Sequence, residues 1–117
     1  MILPTVKTVS KSIDIGDGAF ELVLVGHKFD NGLIVYLYDD TPRLGSVSAG
    51  MPLGEISERY TLFQGKQGEI SDTVSLTMSK KTGALVYCFV NISKPELTKP
   101  EIIRSLIDEY FQKSSVD

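Results

Sequence analysis

The 117-residue sequence holds one cysteine and one histidine. A single cysteine excludes an internal disulfide and any zinc site built from several cysteines. A single histidine leaves Cys88 as the only thiol with which it could form a nucleophile–base pair. No apolar run approaches the ~20 residues that a membrane-spanning helix needs. Basic charge is not in excess either: 12 Lys+Arg stand against 15 Asp+Glu, a net charge of −3. That argues against a nucleic-acid binder that works by neutralising phosphates. The start, Met1-Ile2-Leu3-Pro4, lacks the basic residues and long apolar stretch of a secretory signal. These absences predict a soluble, intracellular protein without enzymatic chemistry.

What is present is ordinary for a folded domain. Hydrophobic residues make up 42% and charged residues 23% of the chain, enough apolar content to build a core without staples. Four basic residues face eight acidic ones up to Glu58, and eight face seven after it. The front is therefore weakly acidic, and no basic stripe forms. No repeat, low-complexity tract or Pro/Gly/Ser linker divides the chain, so residues 1–117 read as one domain.

Residues 5–15 alternate imperfectly and predict a short edge strand, closed by the Asp14-Ile15-Gly16-Asp17-Gly18 turn. Phe20 to Phe29 and Leu33 to Asp39 are β-rich runs separated by Asp30-Asn31-Gly32. Asn-Gly favours a type I′ turn, which predicts a hairpin with Asn31-Gly32 as its loop and Phe29 opposite Ile34. Apolar residues fall on both faces of this hairpin (Leu22 and Leu24, Val23 and Val25), predicting a central position covered on both sides. Leu44 to Leu53 reads as a third strand, and Glu55 to Gly68 as a short strand running into a mobile Gln64–Gly68 loop.

Residues 71–82 are ambiguous by pattern, because Val74, Leu76 and Met78 alternate with Ser75, Thr77 and Ser79 as in a strand. Ser71-Asp72 as an N-cap, Lys80-Lys81 in the last turn and Gly83 just beyond it favour a helix. Ala84 to Ile92 is a nearly continuous apolar run, predicting a buried central strand. Thr98-Lys99-Pro100-Glu101 reads as a capping box for a C-terminal helix with the stripe Ile102, Ile103, Leu106, Ile107, Tyr110 and Phe111. Strands first and helices late predict an α+β fold: an antiparallel sheet with a central Asn-Gly hairpin and two helices, the second C-terminal.

The search for chemistry yields little. His27 and Cys88 sit mid-strand in apolar surroundings, where core packing is the better account of a free cysteine. Asp39 and Asp40 are adjacent and would point to opposite faces of a strand. Gly65-Lys66 lacks a phosphate-binding loop, since Tyr60 stands where a glycine is required and Gln67 where Ser or Thr is required. Asp14, Asp17 and Gly18 lack the spacing and terminal Glu of a calcium loop. Asn91-Ile92-Ser93 matches a glycosylation sequon that only a secreted protein would use. Lys80-Lys81 reads as a solvated helix end or a contact for an acidic partner. Tyr36 and Tyr38 share one face of a strand, with Arg43 and Leu44 just beyond. Tyr and Arg are favoured at interface hot spots, so these four are the candidate partner interface. The competing reading is a sheet face packed beneath a helix.

Two stretches carry a resemblance. Thr41-Pro42-Arg43-Leu44 through Ala49-Gly50-Met51-Pro52 is one. Ser71-Asp72-Thr73 through Lys80-Lys81-Thr82-Gly83 into Ala84–Asn91 is the other. Their order and spacing, followed by an amphipathic C-terminal helix, resemble the proteasome assembly chaperone 4 family. The resemblance implies a helix over Asp72–Lys81. It also implies a heterodimer with a structurally similar small assembly chaperone, the third of that series. The pair would bind an α-type subunit of the proteasome core, the fifth, promote α-ring assembly, and leave before the core matures. No cofactor, metal, nucleic acid, membrane or catalysis is implied, and the location would be cytoplasmic and nuclear. Without its partner, such a chain could pair with itself. The alternatives are a profilin- or longin-like interaction scaffold, or a small cysteine-dependent hydrolase using Cys88 and His27.

Overall fold

The computed structural model describes residues 5–16, 18–39, 46–53, 56–63 and 68–113, without the side chains of 52, 53, 56–63 and 68. Asp40, Arg43, Leu44 and Gln64-Gly65-Lys66-Gln67 thus lie outside the described residues. The elements run β1 (Thr5–Asp14), β2 (Ala19–Phe29), β3 (Gly32–Tyr38), β4 (Ser46–Leu53), β5 (Ile56–Phe63), α1 (Gly68–Thr82), β6 (Leu85–Asn91), a 3₁₀ turn (Pro95–Thr98) and α2 (Pro100–Gln112).

Among the described residues six strands form one sheet in the order β1-β2-β3-β6-β4-β5. The expected α+β class holds, with one refinement. β6 enters between β3 and β4, so it runs parallel to β3 and antiparallel to β4. The most continuously apolar strand thereby gains a partner on each edge, as its Leu85-Val86-Tyr87-Cys88-Phe89-Val90 sequence demands.

The hairpin turn departs from the expectation. Phe29 pairs with Gly32 and His27 with Ile34, so Asp30-Asn31 is the loop and Gly32 already belongs to β3. No described non-glycine residue has positive φ, which removes the type I′ geometry. Gly32 is needed for a different reason. A Cβ there would stand 2.8 Å from the Leu85 carbonyl oxygen on β6. The shift is by two residues, so every side chain keeps its expected face.

Both helices lie on one side of the sheet. The core between the layers joins Leu22, Leu24, Val35, Leu37, Val86 and Val90 to Val74 and Met78 of α1 and to Ile103, Leu106 and Ile107 of α2. Each such side chain contributes about 1.5–3 kcal/mol when fully buried. Lys7 and Lys11, on the same side of edge strand β1, hold α2. Lys11 Nζ donates to Ser105 Oγ at 2.8 Å, and Lys7 Nζ sits 4.3 Å from the Tyr110 ring centre.

Helix α1 is present, but it starts at Gly68, three residues before the expected cap. Ser71 and Asp72 therefore lie within it, where they meet β4. Its buried residues are Ser71, Val74, Ser75, Met78 and Ser79, a helical i, i+3, i+4, i+7, i+8 set in which three of five are serine. The hydroxyls are all used. Ser48 and Ser71 Oγ are 2.7 Å apart, Ser48 also donates to Asp72, Ser75 to the Asp72 carbonyl and Ser79 to the Ala84 carbonyl at 2.8 Å. Gly83 follows the helix at φ 65° and donates to the Ser79 carbonyl, as its C′ role requires. The expected capping box does not form. Lys99 is the N-cap of α2 and makes no side-chain capping bond, while the Thr98 hydroxyl donates to the Pro95 carbonyl.

Candidate interaction surface

Strand alternation decides where each candidate residue points. Even-numbered residues of β2, β4, β6 and odd-numbered residues of β3 face the helices. The opposite side of the sheet carries no helix among the described residues, which corrects the expectation that the hairpin is covered on both faces. Two helices, each about 10 Å across, can shield only one face of a six-stranded sheet about 28 Å wide.

The open face is arranged in rows. One runs Thr8, Val25, Tyr36, Phe89 and Val47 across β1, β2, β3, β6 and β4; the next runs Val6, His27, Ile34, Tyr87 and Ala49. Tyr36 links them. Its ring stacks on Phe89 with centroids 5.3 Å apart and meets the edge of His27 at 5.6 Å. Tyr38 lies one row further, between Val23 and Asn91. All four large hydrophobic side chains that stay exposed among the described residues belong to this face: Val6 at 42%, Phe29 at 42%, Met51 at 37% and Tyr87 at 38%.

Four strands and four rows give an apolar patch on the order of 400 Å² in projection, the size at which an exposed patch marks an interaction site. Its rim is polar on the β1 side, where Thr8, Ser10 and Ser12 replace hydrocarbon, because the β1 lysines point to the helices. Among the residues whose side chains are described, formal charge on the face belongs to Asp14 and Glu21 beside the β1–β2 turn, and Glu58 of β5 stands opposite Met51 in register.

The structure thus brings Tyr36 and Tyr38 onto one exposed face. Sequence reading missed Val6, Val25, Ile34, Met51, Tyr87 and Phe89. The signal that would have found them is a mismatch: β2 and β6 are apolar on both faces, while two helices are available to cover one.

Elsewhere the geometry separates groups that chemistry would need together. His27 lies on the open face and Cys88 on the helix face, so they do not pair. Cys88 is wholly buried, and desolvation, helped by the nearby Asp72 charge, pushes its thiol pKa far up. Asp39 is a structural acceptor whose carboxylate takes bonds from Ser93 N at 2.9 Å, Ser93 Oγ at 3.0 Å and Lys94 N at 2.9 Å. No group of three or more His, Cys, Asp or Glu side chains among the described residues could hold a metal ion, and no described helix is long and apolar enough to cross a membrane. A trough of about 300 Å³ between α1 and α2 is lined by Ile70, Thr73, Ile103 and Ile107, with the Lys81–Asp108 pair at 3.8 Å beside it; it lies on the far side of the sheet from Tyr36.

No protein-family model matches the chain, and no curated protein is similar to it in sequence. Its fold is similar to that of a chain in the crystal structure of a novel chaperone complex for yeast 20S proteasome assembly. The TM-score is 0.58 at 8% sequence identity, over 89% of this chain and 98% of that one.

Proposed function

We propose that this protein is a proteasome assembly chaperone that works through the open sheet face. Two observations support the reading together: the fold is similar to that of a chain of a proteasome assembly chaperone complex, and the large apolar side chains exposed among the described residues gather on the sheet face away from both helices. The second carries the mechanism. An apolar sheet face finds its best cover in another sheet, packed at about 10 Å with interdigitating side chains. The natural partner is therefore a small chaperone of similar architecture, giving a heterodimer with helices outermost. With that partner missing, a second copy of this chain takes its place.

The pair would then hold an α-type subunit, the fifth of the ring in the more detailed reading, and favour one subunit arrangement by binding it better than the alternatives. An incoming subunit that competes for the same surface would release the pair before the core matures. Such a role needs rigid surfaces and no reaction, which accords with His27 and Cys88 lying on opposite faces of the sheet. The work would be done in the cytoplasm and nucleus.

The experiment is purification of the tagged protein from its native cell, with the co-purifying chains identified by mass spectrometry. Proteasome α-subunits and a small protein of similar fold are expected, and both should disappear with Tyr87→Asp. Recovery of neither with the unaltered chain would overturn the reading.

A further inference from the structure

Helices α1 and α2 enclose a trough of about 300 Å³, at the small end of the range for ligand pockets. Ile70 of α1 and Ile103 and Ile107 of α2 line it with branched hydrocarbon. Charged side chains stand on both walls, and their signs reverse along its length. Toward the helix C-termini α1 supplies a base and α2 an acid, and Lys81 Nζ meets Asp108 Oδ1 at 3.8 Å. Nearer the N-termini α1 supplies the acid, Glu69 in its first turn, and α2 the base, Arg104, one turn before Asp108. Neither Glu69 nor Arg104 enters a salt bridge among the described residues. The chain thus bridges the walls at one end with its own ion pair. At the other it leaves an acid and a base unbridged beside an apolar floor.

We propose that this trough binds a small zwitterion with a branched aliphatic side chain, an amino acid of the leucine class. The ammonium of the ligand pairs with Glu69 on one wall. Its carboxylate pairs with Arg104 on the other, whose planar guanidinium matches a carboxylate. Its hydrocarbon covers the three isoleucines. Charge complementarity selects this class: an anion alone meets Glu69 as a like charge, and a cation alone meets Arg104 so. A neutral apolar molecule covers the floor and leaves both rim charges unanswered. Glu69 and Arg104 are exposed, so water screens them and each ligand charge is worth about fivefold in affinity. Burial of the aliphatic side chain supplies the larger share. For so small a ligand the dissociation constant is expected at about 1 mM. The site lies across the sheet from Tyr36 and does not depend on the docking surface proposed above.

The test is an amide-resolved NMR titration of the full chain at pH 6.5, where an α-amino group stays protonated. The probes are L-leucine, N-acetyl-L-leucine, which lacks the ammonium, L-leucinamide, which lacks the carboxylate, and L-serine, which lacks the hydrocarbon. Saturable shifts centred on Ile70 and Ile103 are expected with L-leucine. The acetyl and amide analogues should bind about fivefold more weakly and L-serine at least about tenfold. Glu69→Gln should bind leucine and its acetyl analogue alike, and Arg104→Gln leucine and leucinamide alike. Thr77→Trp, which fills the trough, should abolish binding with the circular dichroism unchanged; if that variant unfolds, the two rim variants decide. No saturable shift with L-leucine overturns the proposal. Equal binding of leucine and both analogues overturns the zwitterion assignment. Binding that survives in a folded Thr77→Trp, or discrimination that survives both rim variants, lies elsewhere and overturns the site.

Discussion

Gly50 of β4 lies directly under the Ser75 carbonyl of α1, so close that a Cβ would collide with the helix backbone. The neighbouring contact, Ser48 Oγ to Ser71 Oγ at 2.7 Å, shows the same tight seam. Small residues on both sides bring α1 down onto β4, and buried hydroxyls bond each other where hydrocarbon would have filled the gap. Gly50→Ala forces the helix backbone to move, since no flexible side-chain end can give way. A loss of about 3 kcal/mol is expected, read as a lower urea midpoint with an unchanged slope.

High pH should destabilise the fold through two buried groups. Burial holds the Cys88 thiol and the Tyr110 phenol in their neutral forms, raising both pKa values. A raised folded-state pKa gives stability that is fully present below the unfolded value and is lost as pH climbs beyond it. Stability is therefore expected to fall from about pH 9 with a slope near 1.4 kcal/mol per unit, steepening above about pH 10 when unfolded tyrosine also ionises. Cys88→Ala should remove the first part of that slope relative to its own stability at pH 7. In the native protein Cys88 should stay unreactive toward a thiol reagent, and denaturant should expose it.

Asp39 ties the end of β3 to the turn that follows β6, taking bonds from Ser93 and Lys94. Asp39→Ala leaves those backbone N–H groups to water and is expected to cost about 1–2 kcal/mol. Asp39→Asn should recover part of this, because one amide oxygen can still accept. Thermal melts of the three proteins compare them directly.

Tyr87 and Val86 are adjacent on β6 and point to opposite faces, Tyr87 38% exposed and Val86 wholly buried. Tyr87→Asp is expected to change monomer stability by no more than about 0.5–1 kcal/mol. Val86→Asp places a charge among core side chains and should abolish folding. Circular dichroism of the two variants separates a surface position from a core one.

Much of the fold was legible. The amphipathic stripe of α2, the apolar run of β6 and the turn residues between strands each encode their element locally, because period and turn chemistry are properties of neighbouring residues. Helix α1 was harder. Serines on its buried side erase the hydrophobic contrast, and their burial makes sense only once Ser48 and Gly50 are seen across the gap. The hairpin loop was misplaced because Gly32 serves a contact with Leu85, more than fifty residues away, and not the turn beside it. Tyr36 and Tyr38 could be assigned to a shared face from alternation alone, but not to an open one.

Local sequence therefore settled which segments become strands and helices, which side chains share a face, and that His27 and Cys88 are the only residues of their kinds. Tertiary structure decided the rest. The insertion of β6 between β3 and β4 set the parallel pair, the placement of both helices on one side left the other side without a helix among the described residues, and strand parity put His27 and Cys88 on opposite faces. The reason is physical: covering a sheet is a matter of area, and two helices cannot shield both faces of six strands.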